Sequence, residues 1–211
     1  MFISKNYLTK YIKQSPHRNC LEEYLKEELP KLEGSVLDAG SSSRRYDWLL
    51  KQKPVAIDIV ENKEKGVVFG DVNNLQFPEN SFDNIICLEV FEYLTTPQKA
   101  INEIYRVLKP GGKLILSCPF MYKTHQDRLR YTKEFWEKEL LGKFSQKEIK
   151  PIGNFYTIIL DIIRGKIAKL KFKPIKYVLY LPYLFLVLFV PLSRLSKDTA
   201  YISGYFIIAK K

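Results

Sequence analysis

Three groups of residues in this chain have the types and spacing to do chemistry. The first is Val36-Leu37-Asp38-Ala39-Gly40 followed by Ser41-Ser42-Ser43-Arg44-Arg45, an apolar run that stops at a glycine and enters a turn of small residues. In open α/β sheets such a turn lies at the carboxyl edge of a strand, where ligands bind, and small residues let a ligand approach the backbone closely. An ordinary strand-to-helix turn has the same composition, so the turn gains weight only from the second group. That is Asp58, in the apolar run Val55–Val60, where a carboxylate at the strand end can accept hydrogen bonds from two ribose hydroxyls. The third lies in Pro119–Thr132. His125 can titrate near neutral pH as a general base must. Asp127 can orient that histidine, bind substrate hydroxyls or act as the base itself, and Arg130 can pair with a phosphate or carboxylate. The same three side chains could instead form a structural hydrogen-bond cluster that pins the loop.

The elements that must position these groups are legible from the apolar pattern. Leu21, Tyr24, Leu25 and Leu29 mark one face of a helix that ends before Pro30. Short apolar runs at 35–38, 55–60, 67–69, 84–88 and 113–117 read as buried strands, with 145–152 and 201–211 as two further strand candidates. Thr96-Pro97 places an N-cap and a first-turn proline before a helix carrying Ala100, Ile101, Ile104, Tyr105 and Leu108, which Pro110-Gly111-Gly112 stops. Another helix is expected over 132–141, with Thr132 as its cap. Short strands separated by helical patterns predict an α/β fold, a doubly wound and mostly parallel sheet with helices on both faces.

Composition narrows the class. A length of 211 residues with 46% hydrophobic residues suits one α/β unit. Cys20, Cys87 and Cys118 are scattered and odd in number, and the chain has two histidines, which argues against a disulfide framework or a metal site and for a reducing compartment. The cysteines are expected to fill the core, and His17 to be a solvated surface residue. The first residues hold no apolar core of a secretory signal, which points to the cytosol or its membrane face. Thirty-four Lys and Arg against 23 Asp and Glu give +11, and eight basic residues against one acid between 161 and 197 account for +7 of it.

Farther along, Gly70-Asp71-Val72 leads to Phe77-Pro78, Phe82-Asp83, Glu89-Val90 and finally Arg106-Val107-Leu108 with Pro110-Gly111-Gly112. This succession resembles the class I S-adenosylmethionine-dependent methyltransferases, in the small subgroup with "GD-x5-PF-x4-FD … EV-x-EH … RVL-x-PGG". The likeness runs from about Val36 to Pro119 and continues weakly to Leu141 and into the last strand. It implies a Rossmann-like, seven-stranded fold and S-adenosylmethionine as cofactor. Asp38, Gly40 and Ser42 would belong to the turn that cradles its methionine end, Asp58 would hold the ribose, and Asp71 and Val72 would frame the adenine. Glu89 would stand near the sulfonium. The family's second glycine is Ser42 here, and its Glu-His pair is Glu92-Tyr93. Residues 119–132 resemble a "PF-x-Y-x2-H-x-D-x2-RYT" signature associated with surface-polysaccharide and glycolipid synthesis. By that likeness His125 and Asp127 are the catalytic candidates, Tyr122 and Arg130 the substrate-binding ones, and the acceptor is a sugar hydroxyl on a lipid-linked or polysaccharide precursor. An apolar, quinone-like acceptor and a non-catalytic cofactor-binding or membrane-recruiting protein are the alternatives.

The chain then divides as an N-terminal segment and helix over 1–34, a cofactor-binding core over 35–153, an insertion over 154–198 and a final strand over 199–211. In the insertion, Tyr177–Leu192 is sixteen residues without a charge, preceded by six cations from Arg164 to Lys176. As a helix it would be about 24 Å long, short of the bilayer core, and Pro182 and Pro191 interrupt it. It reads as an element that lies on an anionic membrane surface through 164–192, peripheral on the inner face, or as a lid or dimer interface. Its aromatics are not interleaved with its cations, which disfavours nucleic acid.

Overall fold

In a computed structural model, residues 5–122, 127–193, 195 and 199–211 are described, and they fall into two compact units. The larger comprises Tyr24–Pro119, His125–Lys150 and Tyr205–Lys211, and the smaller Met1–Glu23, Phe120–Thr124 and Pro151–Gly204.

The larger unit is built on a seven-stranded sheet in the order β3-β2-β1-β4-β5-β7-β6. Its strands are β1 (Val36–Ala39), β2 (Val55–Asp58), β3 (Val68–Phe69), β4 (Phe82–Leu88), β5 (Leu108–Pro119), β6 (Gln146–Ile152) and β7 (Gly204–Lys210). The pairs β1–β2, β1–β4, β2–β3 and β4–β5 are all parallel, which matches the doubly wound expectation. Hydrogen bonds from Gly111 N to Lys211 O and from Phe120 N to Ser203 O show that β7 runs against β5, so the sheet is mixed. The parallel strands are apolar runs because both their faces are covered: Leu37, Ile85, Leu114 and Leu116 are fully buried. Cys87 and Cys118 fill that core as expected.

Helix α3 (Pro97–Val107) starts at the expected proline and buries Ala100, Ile101, Ile104 and Val107. The Thr96 hydroxyl does not cap it; it donates to Asn73 Oδ1 at 2.9 Å instead. Thr132 does cap, accepting from Phe135 N, and the helix it opens, α4 (Lys133–Phe135), passes directly into a π-turn over Trp136–Leu140 that buries Trp136. The β1–β2 connection departs from a doubly wound helix: it holds only a 3-10 turn at Asp47–Leu49. Ser42 and Arg44 sit at positive φ, which a continuous α-helix cannot accommodate. The Arg44 guanidinium then ties the loop together, donating to Asp47 Oδ2, Gly66 O and Pro54 O.

The smaller unit is helical: α1 (Lys5–Lys13), the first residues of α2 (Pro16–Glu28), α5 (Phe155–Ala168), α6 (Lys173–Val187) and α7 (Val190–Ser193). Its core is Tyr11, Leu160, Tyr183, Val187 and Val190. Asn154 and Thr157 close a capping box that starts α5. Helix α1 is an element the sequence reading did not assign. His17 overturns the expectation of a solvated residue: it is fully buried inside α2, with Nδ1 2.8 Å from Ser203 Oγ and its backbone N–H donating to Asp161 Oδ2 at 2.9 Å. Two cations expected at a lipid surface are likewise committed internally. Arg164 donates to the Tyr11 and Ile12 carbonyls, and Lys176 to the Ala168 carbonyl.

Candidate functional site

The chain enters the sheet at β1, builds outward through β2 and β3, and then returns to the other side of β1 as β4. Strand order therefore switches between β1 and β4, and ligands of open α/β sheets bind at the carboxyl edge of such a switch. Asp38 lies in register with Ala56 of β2 and Ile86 of β4, Asp58 ends β2, Asp71 follows β3 by two residues and Glu89 follows β4 by one. Four carboxylates thus line one edge of four adjacent strands, a row of about 14 Å at the usual strand spacing.

The backbone along this edge is held in uncommon conformations. Gly40, Ser42, Arg44 and Glu89 all have positive φ, and among the described non-glycine residues Asn80 is the one other case. Such strain persists where the surroundings impose it, and it gathers at functional sites. Gly40 has no substitute: φ is +87°, and a Cβ there would run into the Val90 side chain. Gly40 N and Ser41 N both donate to Ile57 O, folding the turn over the end of β2. Ser42 N then donates to Asp58 Oδ2 at 2.9 Å, and Val60 N to Asp58 Oδ1 at 3.0 Å. These bonds fix the Asp58 carboxylate, and since each oxygen can accept twice, both can still take hydroxyl donors. Ser42 itself is exposed and adopts a left-handed conformation that glycine would take at less cost.

Burial sets the electrostatics. Asp38 is raised to about 6, chiefly by desolvation, with the like charges of Asp47 and Asp58 adding to it. Glu92, in the turn Phe91–Tyr93 after β4, is 2% exposed and raised to about 8, by burial first and by the nearby Glu89 second. Glu89 accepts from Ser117 Oγ at 2.8 Å, which ties the end of β4 to β5. An edge lined by four closely set carboxylates, with Asp38 among them raised by burial and by its acidic neighbours, favours a cationic ligand, whose charge offsets theirs.

Asp71 and Val72 lie in a turn, with Val72 buried and Asp71 Oδ1 accepting from Asn73 N and Asn73 Nδ2. The apolar residues that sequence reasoning missed are Ile59 and Val60. They were assigned to strand β2, but the strand ends at Asp58 and leaves each 69% exposed beside that carboxylate. Their signal was available: two apolar residues directly after an acidic strand end, a surface fit for a planar ring. Arg106 was missed as well. Its guanidinium is bound by Glu103 and donates to the Leu75 and Phe77 carbonyls, while Glu103 Oε2 accepts from Leu75 N. The arginine of the Arg106-Val107-Leu108 run therefore positions the segment after Asp71 from a distance.

The loop candidates separate. His125 lies outside the described residues. Asp127 and Arg130 form an ion pair at 2.6 Å, and Arg128 N and Leu129 N donate to the Glu92 carbonyl, so the segment is pinned to the turn after β4. Tyr131 reinforces this by donating its hydroxyl to Phe91 O. Tyr122 belongs to the helical unit, where its ring stacks on His17 at 4.4 Å. No group of metal-binding side chains occurs among the described residues.

Comparison with known proteins agrees with this geometry. Residues 42–116 match the family described as "Methyltransferase domain". The chain is 41% identical over 75 residues to 2-methyl-6-phytyl-1,4-hydroquinone methyltransferase 2, chloroplastic, of Oryza sativa subsp. japonica, covering 34% of this chain and 22% of that protein. It is 26% identical over 168 residues to an uncharacterized protein of Methanocaldococcus jannaschii, covering 72% of this chain and 80% of that one. Among solved structures, a SAM-dependent methyltransferase of Thermotoga maritima, described as a possible histamine N-methyltransferase, superposes with a TM-score of 0.60 at 17% identity, over 93% of this chain and 91% of that one. The chain thus has the Rossmann-like fold of these methyltransferases, while it spans about a fifth of the rice enzyme.

Proposed function

We propose that this chain is an S-adenosylmethionine-dependent methyltransferase, and that its acceptor is a hydroxyl on a lipid-linked or polysaccharide sugar. The observation that carries the cofactor half is the row of Asp71, Asp58, Asp38 and Glu89 along the sheet edge at the strand switch. The donor set fits the ligand: a diol, an exocyclic amine, an ammonium and a sulfonium are all groups that carboxylates complement. When bound, S-adenosylmethionine supplies a methyl group activated by the sulfonium charge.

This chain's own residues then have distinct tasks. Asp58, locked by Ser42 N and Val60 N, accepts from the ribose hydroxyls. Asp38 accepts from the ammonium, whose charge draws its carboxyl toward the ionised form. Ile59, Val60 and Val72 offer apolar surface to the adenine, and Asp71 receives its amine. Gly40 and Val90 fix the turn, and Arg106 holds the segment after Asp71. Catalysis on this reading is mainly alignment of two reactants with modest base assistance, which falls to His125 or Asp127. Arg130 pairs with Asp127 and so orients that carboxylate.

The sugar reading is supported by the likeness of residues 119–132 to a surface-polysaccharide signature. A second reading, an apolar quinone-like acceptor, is favoured by the name of the rice relative, although that match covers a small part of the relative. Incubation with methyl-labelled cofactor, separately with lipid-linked glycan precursors and with isoprenoid quinones, discriminates them. Label in the glycan fraction supports the first reading, and label in the quinone fraction the second. Label in neither, from protein that binds the cofactor, sinks both acceptors.

A further inference from the structure

From Tyr177 onward helix α6 is uncharged and mostly apolar on every side, and only one side of it is buried. Tyr180, Tyr183, Val187 and, just beyond, Val190 form its buried stripe in the helical unit. The opposite stripe of α6, Val178, Leu181 and Phe185, recurs at helical spacing and is exposed, with Leu181 68% and Phe185 61% accessible, and beyond the helix end Phe189 in the following turn and Leu192 in α7 are exposed as well. From Tyr177 to Ser193 there is no charged residue at all. A helix in contact with water on one side ordinarily carries polar residues there, so this face is built for a non-aqueous partner.

The charge beside it says which partner. Lys166 on the last turn of α5, Lys169 just past its end, Lys171 in the connection and Lys173 at the start of α6 are all exposed. No Asp or Glu occurs between 162 and 197. Phe155, Ile162 and Lys166 of α5, with Lys169 at its cap, share one outer face, apolar at its beginning and basic at its end. A protein partner's rim would ordinarily call for both signs of charge. A single-sign cluster next to an exposed apolar helix is the arrangement that suits anionic head groups above acyl chains. Among the described residues no helix is long and apolar enough to cross a membrane, so the helix can lie on a bilayer and not span it.

We infer that the outer face of α6, with Lys166, Lys169, Lys171 and Lys173, docks this protein on the surface of an anionic lipid bilayer. The four lysines attract the head groups, and Val178, Leu181, Phe185, Phe189 and Leu192 enter the interface. Arg164 and Lys176, bonded to backbone carbonyls within the helical unit, take no part. The inference stands apart from the methyltransferase reading, because it uses none of the residues of the sheet edge.

The test is flotation of the full-length protein with vesicles of phosphatidylglycerol and phosphatidylcholine, and with phosphatidylcholine alone. Two variants accompany it: Leu181→Asn with Phe185→Asn, and Lys169→Gln with Lys171→Gln. Both alter exposed side chains, and an unchanged thermal melt together with unchanged binding of S-adenosylhomocysteine checks the fold. The wild type is expected to float with the anionic vesicles, less so as salt rises. Each lysine contributes about fivefold to partitioning, so the lysine variant should lose at least tenfold on anionic vesicles. The asparagine variant should lose flotation with the anionic vesicles. A wild type that stays out of the lipid layer overturns the inference. So does an asparagine variant that floats as well as the wild type. A wild-type dimer that this variant turns into monomers, with flotation unchanged, would assign the face to a second copy of the chain.

Discussion

Replacing Glu92 by Gln should stabilise the protein, and by an amount that grows with pH. Glu92 is 2% exposed, in the turn that follows β4, with Oε2 3.8 Å from the Cys118 thiol. Burial and the neighbouring Glu89 raise its carboxyl from an ordinary value of 4.5 to about 8. Between those values the folded chain holds a proton that the unfolded chain releases. The native state then binds more protons than the unfolded state, so stability falls as pH rises through this window. Each unit of pH costs about 1.4 kcal/mol, which gives on the order of 3 kcal/mol between the ordinary value and neutrality. Gln keeps the shape and removes the titration. Urea melts of both proteins at several pH values from about 5 to 8 should show nearly equal stability at the acid end and a gap that widens toward the alkaline end. Asp38 titrates in the same direction in both proteins, so the difference between the two curves isolates Glu92. Parallel curves would refute the reasoning, since they would mean that this carboxyl is already ionised in the fold.

Three further outcomes follow from the site. Gly40→Ala forces a side chain into a left-handed conformation and against Val90, and should cost about 3 kcal/mol in a urea melt together with most of the cofactor affinity. Arg106→Ala should weaken binding of S-adenosylhomocysteine without touching it, because the Leu75 and Phe77 carbonyls lose their donor; a calorimetric titration showing unchanged affinity would remove Arg106 from the account. Binding should also strengthen as pH rises through about 6, where Asp38 ionises to meet the ligand's ammonium, by up to tenfold per unit below that value, and Asp38→Asn should flatten the profile.

Much of the sheet was legible because a parallel strand covered on both faces leaves a continuous apolar run, as 36–39, 84–88 and 113–117 do. Of the carboxylates, Asp58 was legible as the acid at the end of an apolar run, whereas Asp38, Asp71 and Glu89 were singled out only by the resemblance to the methyltransferases; the parallel strands put all four on one edge. What escaped depends on distant partners. His17 reads as a surface histidine until Ser203, far away in sequence, is brought against its ring. Arg106 stands in the Arg106-Val107-Leu108 run with no role of its own until the carbonyls of Leu75 and Phe77 come within its reach. Thr96 has the sequence of a cap, yet Asn73 competes for its hydroxyl. The β1–β2 connection lost its helix to two left-handed residues that composition alone does not reveal. The helical unit was legible as charge and apolarity, but the separation of committed cations, Arg164 and Lys176, from the exposed lysines needed the hydrogen bonds.

The central claim is that the carboxylate-lined edge between β1 and β4 holds S-adenosylmethionine. Calorimetric titration of the purified protein with S-adenosylmethionine and with its demethylated product, beside Asp58→Ala, tests it most directly. The account predicts saturable one-to-one binding of both ligands by the wild type and its loss in the variant, whose thermal melt should stay close to that of the wild type. A folded wild type that binds neither ligand, or an Asp58→Ala protein that binds them as tightly as the wild type, would contradict it.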